Sequence, residues 1–97
     1  MYRDKSILIT GGTGSLGKAL TKHITLNFKN IKKLIIFSRD EQKQFQMSQE
    51  FPVSKYPFIR YFIGDVRDKE RLTMAFKGVD YVIHAAAMKH VHIAEYN

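Results

Sequence analysis

The residues with the clearest chemical meaning are Thr10-Gly11-Gly12-Thr13-Gly14-Ser15-Leu16-Gly17. They follow an apolar, strand-like run and open a helical pattern, the context a phosphate-cradling glycine loop requires. Gly11 permits a tight strand-to-helix turn. Gly14, lacking a Cβ, lets the backbone approach a pyrophosphate, and Gly17 lets the helix pack closely on the sheet. The free N–H groups and positive dipole end of the helix would then face the phosphates, with Thr13 and Ser15 adding hydroxyl donors. A Walker phosphate loop needs a hydroxyl residue after Gly-Lys. Here Ala19 follows Gly17-Lys18, so the Mg²⁺ ligand is missing and an NTPase is rejected.

A second group lies at the end of the next apolar run, Phe37-Ser38-Arg39-Asp40-Glu41. An acid at that strand end would hold a ribose 2′-hydroxyl and select NAD. Ser38 stands there instead, and Arg39 follows, a pairing suited to a 2′-phosphate. Lys43, one helical turn on, can reach the same group. The expectation is NADP rather than NAD. The competing reading pairs Arg39 and Lys43 with Asp40 and Glu41 on a solvated helix, and Asp40 keeps NAD open.

Two further strand ends point to the same crevice. In Gly64-Asp65-Val66 a carboxylate can accept from an adenine amino group, or Asp65 can simply cap a turn. In His84-Ala85-Ala86-Ala87 small side chains leave room for a cofactor across the sheet, or serve helix packing. His84 is expected to be a hydrogen-bonded core residue. His90 and His92 lack a third ligand at a recognisable spacing, so no metal site is expected. Lys89 could face a substrate phosphate or carbonyl, or be an ordinary solvated lysine.

The elements that must position these groups alternate. Strands are expected at Ser6–Thr10, Lys33–Ser38, Ile59–Ile63 and Tyr81–Ala85, the third nearer an edge. Helices are expected at Ser15–Phe28, with Leu16, Ala19, Leu20, Ile24 and Phe28 facing inward and Asn30 as a left-handed stop. Two more fall at Asp40–Phe51, a more exposed helix ended by Pro52, and at Asp68–Lys77, with Leu72, Ala75 and Phe76 inward and Gly78 closing. The order β-α-β-α-β-α-β implies an α/β, Rossmann-type parallel sheet with flanking helices, the N-terminal half of a doubly wound domain. Residues 1–97 form this one half-domain. Met88–Asn97 reads as helix or loop, and the edge of the fourth strand is expected to stand open.

Composition excludes several classes. With 97 residues and 44% hydrophobic content the chain is one small globular unit at most. It has no long apolar run and no signal-peptide pattern, so no membrane association and a cytoplasmic location are expected. The absence of cysteine excludes disulfides, thiolate metal sites and a Cys nucleophile. The net charge of +7 comes from 16 Lys and Arg residues mixed with 9 acids. They form no block, which argues against a nucleic-acid partner and for anionic small molecules.

Taken together, Thr10–Gly17, Ser38-Arg39-Asp40-Glu41, Gly64–Asp68 and Ile83–Val91 with Glu95-Tyr96-Asn97 resemble the N-terminal part of the inverting UDP-N-acetylglucosamine 4,6-dehydratases. These belong to the polysaccharide-biosynthesis group of the extended short-chain dehydrogenase/reductase superfamily. The glycine motif is common to that superfamily; the last two runs are more specific. The resemblance implies that Thr13, Gly14, Ser15 and Leu16 line the NADP pyrophosphate, and that Arg39, Asp40, Glu41, Gln42, Lys43 and Gln44 hold the 2′-phosphate. It implies that Asp65 and Val66 flank the adenine, that Ala85, beside Ala86, touches the cofactor, and that Lys89 contacts a UDP-sugar. Sugar C4 would give a hydride to NADP⁺, water would leave across C5 and C6, and the hydride would return at C6 with inversion at C5. A homo-oligomer is expected. His92 departs from the family's usual Pro. The family's Tyr–Lys and Asp–Lys pairs are expected beyond Asn97, so no catalytic residue is assigned here and the 97 residues alone are expected to be inactive. The alternatives are an NADP-binding module without chemistry, or an epimerase of the same superfamily.

Overall fold

The computed structural model describes residues 4–28, 30–85 and 95–96. The elements run β1 (Ser6–Thr10), α1 (Ser15–Asn27), β2 (Lys33–Ser38), α2 (Glu41–Glu50), β3 (Ile59–Ile63), α3 (Lys69–Phe76), β4 (Tyr81–His84) and β5 (Glu95–Tyr96). The sheet order is β3-β2-β1-β4-β5. β1 lies between β2 and β4, and all four long strands are parallel, with Ile9 opposite both Ile36 and Ile83. β3 is at the edge, as its alternating pattern predicts.

The two faces of the sheet make two cores. Ile7 and Ile9 of β1 join Leu34, Ile36, Ile59 and Ile83 beneath Ile24 of α1 and Met47 of α2. The neighbouring positions Leu8, Ile35, Phe37 and Val82 pack under Ala75 of α3. Two helices therefore cover one face and one covers the other. Continuous burial along β1 and β2 explains why those runs carry no polar alternation. Each fully buried side chain such as Leu34 or Ile36 contributes roughly 1.5–3 kcal/mol.

Several details depart from the sequence pattern. Ala19 is exposed. Thr21 is buried in its place, its hydroxyl donating to the Gly17 carbonyl at 2.9 Å. α1 leaves through an extended Phe28 (φ −121°, ψ 85°), whose N–H donates to the Ile24 carbonyl. Asn30 is therefore not needed as a left-handed stop, and the non-glycine residue with positive φ among the described residues is Asp4. Phe76 is 36% exposed rather than inward, because the short α3 turns Ala75 onto the sheet. Asp40 and Asp68 cap α2 and α3, accepting from the N–H groups of Lys43 and Arg71. Gly78 (φ 75°) releases the chain toward β4. There Asp80 and Ser6 exchange hydrogen bonds of 2.8 Å, the Asp80 N–H to the Ser6 carbonyl and the Ser6 N–H to the Asp80 carboxylate.

The expected open edge of β4 is corrected. β5 pairs antiparallel with it, Tyr96 opposite Val82 and Glu95 opposite Ile83, which gives unpaired edge groups partners. β4 itself stops at His84, one residue before the expected end.

Candidate functional site

A cavity of about 620 Å³ opens at the carboxyl ends of β1, β2 and β3. Its wall brings together Gly11, Thr13 and Gly14 from the β1–α1 turn, Phe37, Ser38, Arg39, Asp40 and Lys43 from β2–α2, and Gly64, Asp65, Val66 and Arg67 after β3. The strand order reverses beside β1, where α/β sheets open such a crevice.

The β1–α1 turn is shaped for an anion. Gly11 has φ 65°, a conformation that L side chains disfavour, and its N–H donates to the Phe37 carbonyl at 2.8 Å. Gly17 lies against the Gly12 backbone, which a Cβ would overlap. Its close packing is thus against the loop itself. Gly14 is different: a Cβ there would meet the Gly11 carbonyl at 3.5 Å, an ordinary contact. Packing does not require glycine at this position, and the space it leaves faces the cavity. α1 also has no side-chain N-cap and no acid in its first turn, whereas α2 and α3 have both. The first N–H groups of a helix have no intrahelical partner, so those of α1 and its positive dipole end remain available to a phosphate.

At the end of β2 the acid that left NAD open stands on the wall with one oxygen taken by its own helix. The Asp40 carboxylate accepts from the Lys43 N–H at 3.0 Å, as the cap of α2. Arg39 does not pair with its neighbours Asp40 and Glu41; its guanidinium lies 3.7 Å from Asp65 and is mostly exposed. Lys43 makes no ion pair among the described residues. Ser38 is 7% exposed on the wall, and Gln44 is 4% exposed behind it. The Gln44 side-chain amide donates to the Ser38 hydroxyl at 3.0 Å and to the Phe62 carbonyl at 2.9 Å, with longer approaches to the Ile36 and Ser38 carbonyls.

After β3, the Gly64 N–H donates to the Ser38 carbonyl at 2.9 Å, which joins the two strand ends. Asp65 accepts from Arg67 three ways: its N–H at 2.9 Å, Nη2 at 2.8 Å and Nε at 3.2 Å. The Arg67 guanidinium, then its N–H and the positive charge of Arg39, hold the Asp65 carboxyl well below the usual carboxylate range. Asp65 raises the Arg67 pKa in return. Beneath them Phe37 stacks on Phe62 (5.7 Å between centroids, 21° between planes), and the Arg71 guanidinium lies 4.2 Å over the Phe62 ring.

Other expected site residues fall off this wall. Ser15, Leu16 and Gly17 form the first turn of α1, Glu41 and Gln42 the exposed first turn of α2. Ala85 is buried after β4. Ala86 and Lys89, with His90 and His92, lie outside the described residues. His84 has a neighbour across the sheet, its Nδ1 2.9 Å from the Thr10 hydroxyl. Phe37 and Arg67 were given no role in the site by the sequence, and Gly64 was named only within the run Gly64-Asp65-Val66. The Asp-Val-Arg spacing was a usable signal for Arg67, since an Asp side chain often accepts from the N–H two residues on. Among the described residues no group of three His, Asp or Glu side chains is placed to hold a metal, and no helix is long and apolar enough to cross a membrane.

The chain is similar to known proteins in sequence and in fold. The family model described as polysaccharide biosynthesis protein matches residues 7–97. The whole chain is 63% identical to a UDP-N-acetylglucosamine 4,6-dehydratase (inverting) of Campylobacter jejuni subsp. jejuni serotype O:2, covering 28% of that protein. It is 48% identical to a UDP-glucose 4-epimerase of Rickettsia bellii over 99% of this chain and 28% of that protein. The chain thus spans a little over a quarter of the length of these relatives. The X-ray structure of Pen from Bacillus thuringiensis superimposes with a TM-score of 0.80 at 43% identity, over 93% of this chain and 28% of that one. The same fold recurs in dTDP-glucose 4,6-dehydratase from Bacillus anthracis str. Ames, solved with NAD (TM-score 0.72, 21% identity, 87% of this chain and 27% of that one). It recurs again in the NADPH-bound carbonyl reductase from chicken fatty liver (TM-score 0.68, 19% identity, 95% and 38%).

Proposed function

The chain belongs to the polysaccharide biosynthesis protein family, and on that basis we propose that it forms the NADP site of a C5-inverting UDP-N-acetylglucosamine 4,6-dehydratase. The product would be a 4-keto-6-deoxy sugar nucleotide for surface polysaccharide or glycan synthesis. The observation that carries the cofactor half of this reading is the uncapped start of α1 at Gly14, open to a cavity that Ser38, Arg39 and Lys43 also line. The two cations on the same wall, Arg39 and Lys43, support NADP over NAD, since they suit a 2′-phosphate while the α2 cap already takes one oxygen of Asp40. The pyrophosphate would lie over Thr13, Gly14 and the first-turn N–H groups of Ser15 and Leu16. Arg39 and Lys43 would hold the 2′-phosphate, with Asp65 and Val66 beside the adenine. When bound, NADP supplies reversible hydride acceptance. The residues described here bind and orient it; removal of water needs groups that this wall does not hold.

The substrate half rests on the relatives, and 63% identity to a dehydratase against 48% to an epimerase favours dehydration. The test is a chimaera in which this chain replaces the matching N-terminal segment of the Campylobacter relative. It should bind NADP in preference to NAD and remove water from UDP-N-acetylglucosamine, followed by mass spectrometry of the sugar nucleotide. A folded, NADP-loaded chimaera that only interconverts C4 epimers would replace dehydration by epimerisation. One that leaves the sugar unchanged would reject both activities.

A further inference from the structure

Gln44 does not reach the cavity, yet it touches a residue that does. Its side-chain nitrogen faces four acceptors: the Ser38 hydroxyl and the carbonyls of Ile36, Ser38 and Phe62. Carbonyl oxygens cannot donate, so the amide must present N–H rather than oxygen to this group. The two shortest approaches, 2.9 Å to Phe62 and 3.0 Å to the Ser38 hydroxyl, take its two hydrogens. Ser38 Oγ is therefore an acceptor on its inner side. Its own hydrogen cannot point at Gln44, and among the described residues the Ser38 hydroxyl donates to nothing. Ser38 lines the cavity. A nearly buried hydroxyl whose hydrogen lacks an acceptor favours a ligand group that supplies one.

We propose that Gln44 is a positioning residue for nucleotide selectivity, fixing the polarity of the Ser38 hydroxyl so that the end of β2 meets its ligand with donors. Ser38 then presents O–H to the cavity that Arg39 also lines. A phosphate monoester, which is chiefly an acceptor, satisfies both groups; a ribose hydroxyl satisfies them less well. The proposal rests on the NADP reading above and deepens it, because the selecting element includes a side chain that never contacts the nucleotide.

The test titrates the 97-residue chain with adenosine 2′,5′-bisphosphate and with 5′-AMP, which differ only in the 2′-phosphate. Gln44→Met keeps the length and bulk of the side chain and removes the amide. Affinity for the bisphosphate should fall roughly five- to tenfold, while that for 5′-AMP should change less than about twofold. Gln44→Glu, nearly isosteric, is the second variant: its carboxylate accepts the Ser38 hydrogen and turns a lone pair to the cavity, so selectivity should fall at least as far. In a Ser38→Ala background Gln44→Met should cost no further selectivity. Equal losses for the two nucleotides, or an unmoved ratio, overturn the role of Gln44. An unsubstituted chain that prefers 5′-AMP rejects the NADP reading and this inference with it, so the two failures are distinguishable.

Discussion

Gly17 rests on the backbone of Gly12: an added Cβ would overlap the Gly12 carbonyl group. Neither partner is a flexible side chain, so the contact cannot relax without moving α1 or the loop. Gly17→Ala should therefore destabilise the chain by about 3 kcal/mol, at the upper end of overpacking costs, measured as a lower urea midpoint. Gly14→Ala makes the opposite prediction. Its Cβ has room within the protein, so stability should change by less than about 1 kcal/mol. Dinucleotide affinity should fall by about tenfold or more if the space over Gly14 seats a pyrophosphate.

Arg39 is joined to the protein by one long ion pair with Asp65, which contributes little to stability. Arg39→Ala should leave thermal unfolding within about a degree or two. It should weaken NADP about tenfold to a hundredfold, with NAD nearly unaffected, as expected for a charge-assisted contact to phosphate. Equal weakening of both dinucleotides, by calorimetric titration, would place Arg39 away from the 2′-phosphate.

Asp40 should behave as a helix cap. Asp40→Asn keeps an acceptor for the Lys43 N–H and should leave stability nearly unchanged. Asp40→Ala should cost about 1 kcal/mol. Neither should alter the ratio of NADP to NAD affinity. A shift of that ratio on Asp40→Asn would return Asp40 to the nucleotide.

Tyr61 makes stability depend on alkaline pH. Burial, then the charge of Glu50, pushes its phenol from 10.0 up to about 12, and its hydroxyl donates to the Phe51 carbonyl at 2.7 Å. The folded state thus favours the protonated form. That contribution is fully present below pH 10 and is lost as pH rises from 10 toward 12. Tyr61→Phe should flatten the fall in stability across that window, seen in denaturant midpoints measured at successive pH values. An identical decline in both proteins would mean that other groups control it.

Asp65 has the opposite sign. Its carboxyl is held below its ordinary value of 3.8 by Arg67 and Arg39. The stabilisation is present above that value and fades as pH falls toward the lower folded pKa. Arg67→Ala should bring the carboxyl back toward the ordinary range, read directly from the Asp65 side-chain carbon by NMR. An unmoved titration would show that the pair does not persist in solution.

Local chemistry made much of this chain legible. Gly11 needs positive φ at a strand-to-helix turn, and β1 and β2 hold unbroken apolar runs, Ile7–Ile9 and Leu34–Phe37, so the glycine loop, the parallel strands and their order along the chain follow from residues close in sequence. The tertiary structure decided what those residues face. Asp40 could pair with a ribose, with Arg39 or with its own helix, and only the path of α2 assigns it to the cap. Gln44, grouped by resemblance with the phosphate-binding run, is turned behind Ser38 because β2 and β3 set three carbonyls where its amide can reach them. Arg67, Phe37 and Gly64 join the wall because β3 pairs beside β2. The antiparallel partner of β4 is β5, the next element along the chain, which the apolar patterning did not mark as a strand. Sequence periodicity records that a side chain faces inward, but the identity of its partner depends on contacts such as Thr10 with His84, 74 residues apart, which chain proximity does not specify.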